Sequence, residues 1–316
     1  MNRQSAATGV AAGLVSVALW GSWAAVSRLS LTGALDPFDM TMLRFAVAAL
    51  VLSPVLMRGT GRRGIAGVEW KAAFWLWLAG GAPYTMVIYF GLTLAPAGHL
   101  AVIMPAAIVA FSMLGGRILF GERLTARRWA GCAAILAGVA MTGWTGLAAP
   151  PGGAASAGWG DAVFLFGALM WSAFGLSAQV YRVDPLRGVA VLSLLSFVTV
   201  TPPYLIFAGG RIAGLPLGEV AFQGFFQGFV TAVLALVLYT QSVKHLGAAR
   251  ASLFTALVPP IGLAAAYAVL GEVPDTLALL GGVLATGGMV ASLVAAPRGA
   301  GAGIPDQRGK KPPGSD

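Results

Sequence analysis

The sequence predicts an all-α membrane protein with ten transmembrane helices, arranged as two inverted five-helix repeats. Three observations predict this fold class. The chain of 316 residues is 58% hydrophobic and only 10% charged, whereas a soluble domain carries about 25% charged residues. Its apolar stretches are near the roughly 20 residues that a helix needs to cross a bilayer. Several residues recur about 150 positions apart, and recurrence at a fixed spacing indicates an internal repeat.

Uncharged runs in the sequence define the spans. The longest run, 72–116, has room for two helices and is divided at Pro96-Ala97-Gly98, a helix stop and turn signal. The first run is interpreted as a retained helix, because its Trp20-Gly21-Ser22-Trp23 segment is unlike a signal-peptide cleavage site. The predicted spans are 9–29, 38–57, 70–94, 98–119, 126–146, 159–180, 187–208, 219–243, 248–270 and 276–296.

Basic residues set the orientation, because cytoplasmic loops of membrane proteins carry an excess of Lys and Arg. Of the 20 basic residues, 17 fall in the termini and in alternate loops, and the opposite loops hold mostly acids. Both termini are therefore predicted to be cytoplasmic. The predicted divisions are a cytoplasmic N-terminus (1–8), a first repeat (9–146), a periplasmic linker (147–158), a second repeat (159–296) and a disordered, basic cytoplasmic tail (297–316).

Matched residues define the repeat. Tyr89 matches Tyr239, and Gly121-Glu122 matches Gly271-Glu272, at a spacing of 150; Trp20 matches Trp171 at 151. Five spans are an odd number, so the second copy enters the membrane from the opposite side. Inverted repeats are typical of secondary transporters, which bind substrate near the bilayer midplane between the repeats.

Two copies of one motif carry a resemblance to a known family. The string 119–125 (Leu-Phe-Gly-Glu-Arg-Leu-Thr), followed by Gly131 and Gly138, resembles the signature of EamA-type transporters in the drug/metabolite transporter superfamily. The second copy comprises Leu270-Gly271-Glu272 with Gly281 and Gly288, preceded by Pro259. The resemblance implies ten helices, a central cavity, and export or exchange of small metabolites, often amino acids.

Candidate binding residues are polar or aromatic side chains within spans. Arg44 lies about seven residues into its span, roughly 10 Å below the surface, where a charge usually faces a cavity or a partner. It is either a ligand for a substrate carboxylate or a structural residue bonded to helix carbonyls. The aromatic candidates line the cavity or act as packing residues. The full set is Trp20, Arg44, Tyr89, Trp171, Gln179 and Tyr239.

Other candidate residues lie near the ends of the spans. Gly121, Glu122, Pro259, Gly271 and Glu272 form the structural motif, in which each glutamate is either a helix-start acceptor or a gating contact.

Two ionisable residues are candidate proton sites. His99 opens the fourth span, where the alternative is an interfacial polar residue. Asp161 opens the sixth, where the alternative is a helix cap.

Together these patterns predict a secondary transporter that exports amino acids or related metabolites. Alternatives are a transporter of sugar phosphates or nucleotide sugars, a transporter of drug-like compounds, and a non-transporting scaffold. No mid-span carboxylate is present for small multidrug antiport, and no cluster suggests an enzyme, a cofactor, a metal or nucleic acid as partner. The expected partners are a small-molecule substrate and the lipid bilayer; composition favours a bacterial inner membrane. The sequence leaves the oligomeric state open and is compatible with a monomer.

Overall fold

The computed structural model describes residues 3–57, 64–148, 155–209 and 211–294, and these are almost entirely helical. Thirteen α-helices, one π-helical segment, two short 3-10 helices (Arg211–Gly214 and Thr255–Leu257) and a short hairpin make up this part of the chain. Their bounds are α1 Arg3–Leu31, α2 Pro37–Leu56, β1 Gly64–Ile65, β2 Val68–Glu69, α3 Trp70–Gly80, α4 Ala82–Leu94, α5 Ala97–Phe120, α6 Ala126–Ala148, α7 Ala155–Val180, α8 Pro185–Phe207, α9 Leu217–Gln223, the π segment Gly224–Leu234, α10 Ala235–Leu246, α11 Ala248–Phe254, α12 Val258–Leu270 and α13 Thr276–Val294.

Nine helical segments in the described residues are long and apolar enough to cross a bilayer. They match nine of the ten predicted spans. The predicted span 126–146 corresponds to α6, which has 23 residues. It carries Arg127 and Arg128 in its first turn and is not among those nine. The predicted tail 297–316 and residues 149–154 of the predicted linker lie outside the described residues.

The helices expose many large apolar side chains, including Leu50, Phe90 and Val283. An apolar surface of this extent would be costly in water and is what a bilayer requires. The protein is thus a multi-pass membrane protein.

The helix ends follow from local chemistry that both halves share. Asp36 caps α2 by accepting hydrogen bonds from the amides of Phe38 and Asp39, each at 2.8 Å. Asp184 caps α8 in the same way through the amide of Arg187, at 3.0 Å. Each aspartate is followed by proline at the first helical position, where the missing N–H costs nothing.

Three details differ from uniform helices. The third span is broken at Gly81 into α3 and α4, because Pro83 cannot donate to the preceding turn. The eighth span contains an eleven-residue π segment. The β1–β2 hairpin, joined by a turn with positive φ at Ala66 and Gly67, is a small addition to the predicted all-α fold.

The helices α6 and α13 cross through matched glycines. A Cβ added at Gly131 would lie 2.8 Å from the carbonyl oxygen of Gly288, and one at Gly138 would lie 2.5 Å from that of Gly281. Exchanging the halves, Gly131 for Gly281 and Gly138 for Gly288, converts one contact into the other. Burial classes of 121–140 and 271–290 agree at 18 of 20 positions. The two halves therefore contribute equivalent surfaces to this crossing.

The two ends of the bundle differ in charge. The acidic end contains the connections after α1, α4, α8 and α12. Its acidic residues are Asp36, Glu272 and Asp275 in these connections and Glu219 in the first turn of α9. The basic end contains the connections after α2, α5, α7 and α10, with Arg123, Arg182 and Lys244.

Candidate functional site

A buried polar cluster lies between α1, α2, α4 and the π segment, with Gln227 at its centre. The side-chain oxygen of Gln227 accepts hydrogen bonds from Trp23 Nε1 at 2.6 Å and from Tyr89 Oη at 3.0 Å. Its Nε2 donates to Ser27 Oγ and to Gln223 Oε1, both at 2.9 Å. The amide is fully buried and fully bonded, so its orientation is fixed.

Arg44 supplies the positive charge of this cluster. Its Nη1 donates to Thr231 Oγ1 at 3.1 Å and to the carbonyl oxygen of Gln227 at 3.3 Å. The guanidinium lies 5.8 Å from the centroid of Trp23 and 6.0 Å from that of Phe45. In the described part of the chain, no carboxylate forms an ion pair with Arg44. The cluster thus holds a half-buried cation that no carboxylate of the described residues neutralises.

The π segment brings the second half of the chain against Arg44. A Cβ at Gly228 would lie 2.8 Å from the carbonyl oxygen of Arg44 and 2.5 Å from Val47 Cβ. Glycine at this position therefore allows the backbones to approach closely. π-Helical turns are frequent at functional sites, because the wider turn redirects neighbouring side chains.

The predicted binding residues occupy three places. Arg44 and Tyr89 lie in the polar cluster. Trp20 stacks on Tyr239 with centroids 5.3 Å apart, and its Nε1 donates to the carbonyl oxygen of Thr231 at 3.3 Å, so this pair adjoins the cluster.

The other two predicted residues lie elsewhere on α7. Trp171 packs on Tyr84 at 4.9 Å, rather than on Tyr89 as strict repetition of the Trp20–Tyr239 contact would require. Gln179 is exposed in the last turn of α7, at the basic end.

The candidate proton sites form a pair at the acidic end. The Nδ1 of His99 lies 3.0 Å from both carboxylate oxygens of Asp161, and both residues are buried. A cavity of about 410 Å³ adjoins them, lined by His99, Arg28, Glu272 and Asp275 among others, but not by Arg44 or Gln227. The two residues were predicted as separate candidates, and the structure places them in contact.

The glycines of the structural motif terminate helices, one at each end of the bundle. Gly121 and Gly271 each end a helix with φ of 68°, a left-handed conformation that glycine adopts without strain. Glu272 accepts from the amides of Ala97 and Gly98 and pairs with Arg28 Nε at 2.9 Å. Glu122 pairs with Arg128, at 3.4 Å. Pro259 is buried at the start of α12.

A second ion cluster at the acidic end joins α2 to the segment after α8. Arg211 pairs with Asp36 at 3.1 Å and with the fully buried Asp39, which also accepts a hydrogen bond from Tyr204 Oη at 2.6 Å. Desolvation lowers the pKa of Arg211, but its hydrogen bond to Asp39 and the two negative charges raise it above its usual value. The guanidinium therefore stays charged, and the cluster is structural.

Sequence reasoning did not select Gln227, Trp23 or Thr231 as binding residues. Gln223 and Gln227 are spaced four residues apart, which places both on one helix face, and this spacing is the signal that could have revealed a polar face. No group of three potential metal ligands occurs within the described ranges.

Comparisons with known proteins find relatives that cover most of the chain. The model of the EamA-like transporter family matches residues 7–144 and 158–294. The probable terminal-alkyne amino-acid exporter of Streptantibioticus cattleyicolor is 26% identical over 281 residues, covering 88% of this chain and 90% of that protein. The uncharacterised transporter YdfC of Bacillus subtilis is 25% identical over 291 residues, covering 86% and 87%.

A solved crystal structure supports the fold alone. It is 22% identical, has a TM-score of 0.57, and the match covers 90% of this chain and 96% of that chain. The family match is a match of sequence to a family model, and it extends over both halves of the chain. The chain belongs to the EamA-like transporter family.

Proposed function

We propose that this protein is a secondary transporter of a bacterial inner membrane that exports amino acids or related small carboxylates by alternating access. The observation that carries the proposal is Arg44, a half-buried guanidinium without an acidic partner in the described residues. A guanidinium binds a carboxylate through two parallel hydrogen bonds. A substrate carboxylate would supply the charge that the protein does not.

The surrounding residues support a small amphiphilic substrate. Trp23 and Tyr89 contribute aromatic faces 6.0 Å apart beside the guanidinium, and Gln227 holds both through hydrogen bonds. Arg44 comes from the first half of the chain and Gln227 from the second, which is where a transporter built from repeats binds its substrate. The exporter from Streptantibioticus cattleyicolor, by its name, carries an amino acid, and this also supports the proposal.

The arrangement of ten spans in two inverted repeats is part of the same proposal. The matched contacts between α6 and α13, the Asp-Pro starts of α2 and α8, and the two family matches support it. So does the alternation of basic and acidic loops. Both termini are then cytoplasmic, and the acidic end of the bundle faces outward.

Flux measurements test the transport activity. We expect proteoliposomes that contain the protein to exchange radiolabelled amino acids at rates well above those of protein-free liposomes. His99 and Asp161 are the proposed proton site, so a proton gradient should stimulate flux, and His99→Gln with Asp161→Asn should abolish that stimulation. Exchange of sugar phosphates or cationic drugs, without any amino-acid flux, would contradict the substrate class.

Cysteine labelling tests the orientation. In a Cys132→Ala background, Ser156→Cys should react with a membrane-impermeant maleimide applied to intact cells, because it lies in the first turn of α7 on the proposed outer side. Arg123→Cys, in the loop after α5, is the matched control and should react only after permeabilisation. The opposite pattern would mean that the basic end faces outward.

A further inference from the structure

Two helix pairs make equivalent contacts, and each pair joins a helix of the first half to a helix of the second. Helix α1 packs on α12, where a Cβ at Gly21 would lie 3.4 Å from the amide nitrogen of Gly262. Helix α7 packs on α5, where Ser172 Oγ lies 3.0 Å from Ser112 Oγ. Ser172 follows Gly21 by 151 residues, as Trp171 follows Trp20, and Gly262 follows Ser112 by 150. The α1–α12 and α7–α5 pairs are therefore counterparts.

Arg28 and Gln179 occupy the same place in these pairs. Each lies seven residues, about two helical turns, beyond the matched contact: Arg28 after Gly21 and Gln179 after Ser172. Leu176, one turn before Gln179, still faces α5, because its Cδ1 would be 2.3 Å from a Cβ at Gly115. The counterpart of Glu272, which pairs with Arg28, is Glu122. The sequence thus places Gln179 on the helix face that leads to Glu122.

The two equivalent residues, Arg28 and Gln179, differ in their contacts. At the acidic end, Glu272 joins three groups: Arg28 Nε at 2.9 Å, the Ala97 amide at 3.2 Å and the Gly98 amide at 3.1 Å. This set ties α1, α5 and the end of α12 together. At the basic end, Gln179 is exposed, and its side-chain amide bonds to no described residue.

Glu122 contacts a residue that has no charged counterpart in the other half. Its Oε2 lies 3.4 Å from Arg128 Nη1, whereas the position equivalent to Arg128 is Ala278. The Nε of Arg128 is buried and has no partner in the described residues. The Glu122–Arg128 contact is therefore long and incompletely bonded, unlike the contacts of Glu272.

We propose that Glu122 and Gln179 form a latch at the basic end when the Arg28–Glu272 latch at the acidic end opens. This inference rests on the proposed transport function and assigns the residues that control access to the site. The acidic-end latch contains an ion pair, whereas the basic-end latch contains a neutral amide. A glutamate carboxylate makes both latches charge-assisted, and the guanidinium of Arg28 adds the Coulomb attraction of a second charge. The acidic-end latch, which is the one formed in this structure, is therefore the more stable of the two, and substrate binding must supply the difference.

Variants at position 179 should shift the equilibrium between the acidic-end latch and the basic-end latch in opposite directions. Gln179→Arg gives the basic-end latch the ion pair of its counterpart, so the acidic end should open more often. Gln179→Glu places a negative charge beside Glu122, so the acidic end should open less often. Val180→Arg, at the neighbouring exposed position, is the matched control because it adds the same charge on a different side of α7.

The readout is the thiol reactivity of Ala266→Cys in a Cys132→Ala background. Ala266 is 1% exposed and lines the cavity at the acidic end, so its reaction rate reports opening of that end. In lipid nanodiscs, where both faces are accessible, Gln179→Arg should raise the maleimide reaction rate about threefold and Gln179→Glu should lower it by a similar factor. Adding Glu122→Gln to Gln179→Arg should remove the gain.

The outcomes separate the latch from the transport proposal. An unchanged rate in Gln179→Arg, or the same change in Val180→Arg, would overturn the latch, even in a protein that transports amino acids. The predicted opposite shifts, in a protein for which no transported solute is found, would support the latch and contradict the proposed substrate. The reactivity measurement needs neither a known substrate nor a known membrane orientation.

Discussion

Replacing Arg44 with alanine should lower amino-acid exchange at least tenfold, while the amount of folded protein in the membrane stays near that of the unaltered chain. A hydrogen bond to a charged group is worth about 1.5–3 kcal/mol, which corresponds to roughly a 10- to 100-fold change in rate or affinity. Without the guanidinium, the substrate carboxylate would enter a poorly solvated cluster with no partner. Initial rates of exchange in proteoliposomes, normalised to protein content, measure the effect.

The conservative variant separates binding from structure. Arg44→Lys keeps the charge but loses the planar fork that binds both carboxylate oxygens, so the exchange rate should still fall substantially. Arg250→Lys, at an exposed position after α10, is the matched control and should transport normally. If thermal stability falls in parallel with transport in both Arg44 variants, then Arg44 is a structural residue and its proposed binding role is wrong.

Gly281→Ala should destabilise the protein strongly, with an expected cost of about 1–3 kcal/mol for overpacking. A Cβ at this position would lie 2.5 Å from the carbonyl oxygen of Gly138 and 2.6 Å from Thr142 Oγ1. The backbone oxygen cannot move without separating α6 from α13. The melting temperature in detergent, followed by size-exclusion chromatography of heated samples, should fall by several degrees.

The same helix offers the control. Gly287 lies six residues further along α13, and a Cβ there would meet nothing within 4 Å. Gly287→Ala should therefore be neutral or slightly stabilising, because alanine is the better helix former. Equal stability of the two variants would show that the α6–α13 crossing can relax, and that its close approach is not required for folding.

The fold was largely accessible from the sequence because bilayer thickness imposes a length on every helix. Nine predicted spans correspond to apolar helices, and the Asp-Pro pairs at positions 36 and 184 mark real helix starts. The breaks within spans were harder to predict from the sequence. The break at Gly81 depends on Pro83, whose effect also depends on neighbouring helices. The π segment has no distinctive amino-acid composition, and its close contact with α2 at Gly228 is visible only in the structure.

The site was predicted only in part. Arg44 and Tyr89 were identifiable because a charge or a repeated aromatic residue within a span needs a reason. Gln227 was not singled out, since its role depends on a tertiary arrangement that brings Trp23 and Tyr89 to the same oxygen. Gln179 was selected because it is polar and lies within a predicted span, but it is the second-last residue of that span, and the structure leaves it exposed at the end of α7.

The crossing of α6 and α13 also bears on how the two halves can change over evolutionary time. Gly131 meets Gly288, and Gly281 meets Gly138, so each half supplies both kinds of surface to one interface. A larger residue in either half must be matched by a change in the other, although the two lie about 150 residues apart in the chain. Elsewhere the halves have diverged, as Arg28 and Gln179 show. At this crossing, a change in one half requires a matching change in the other.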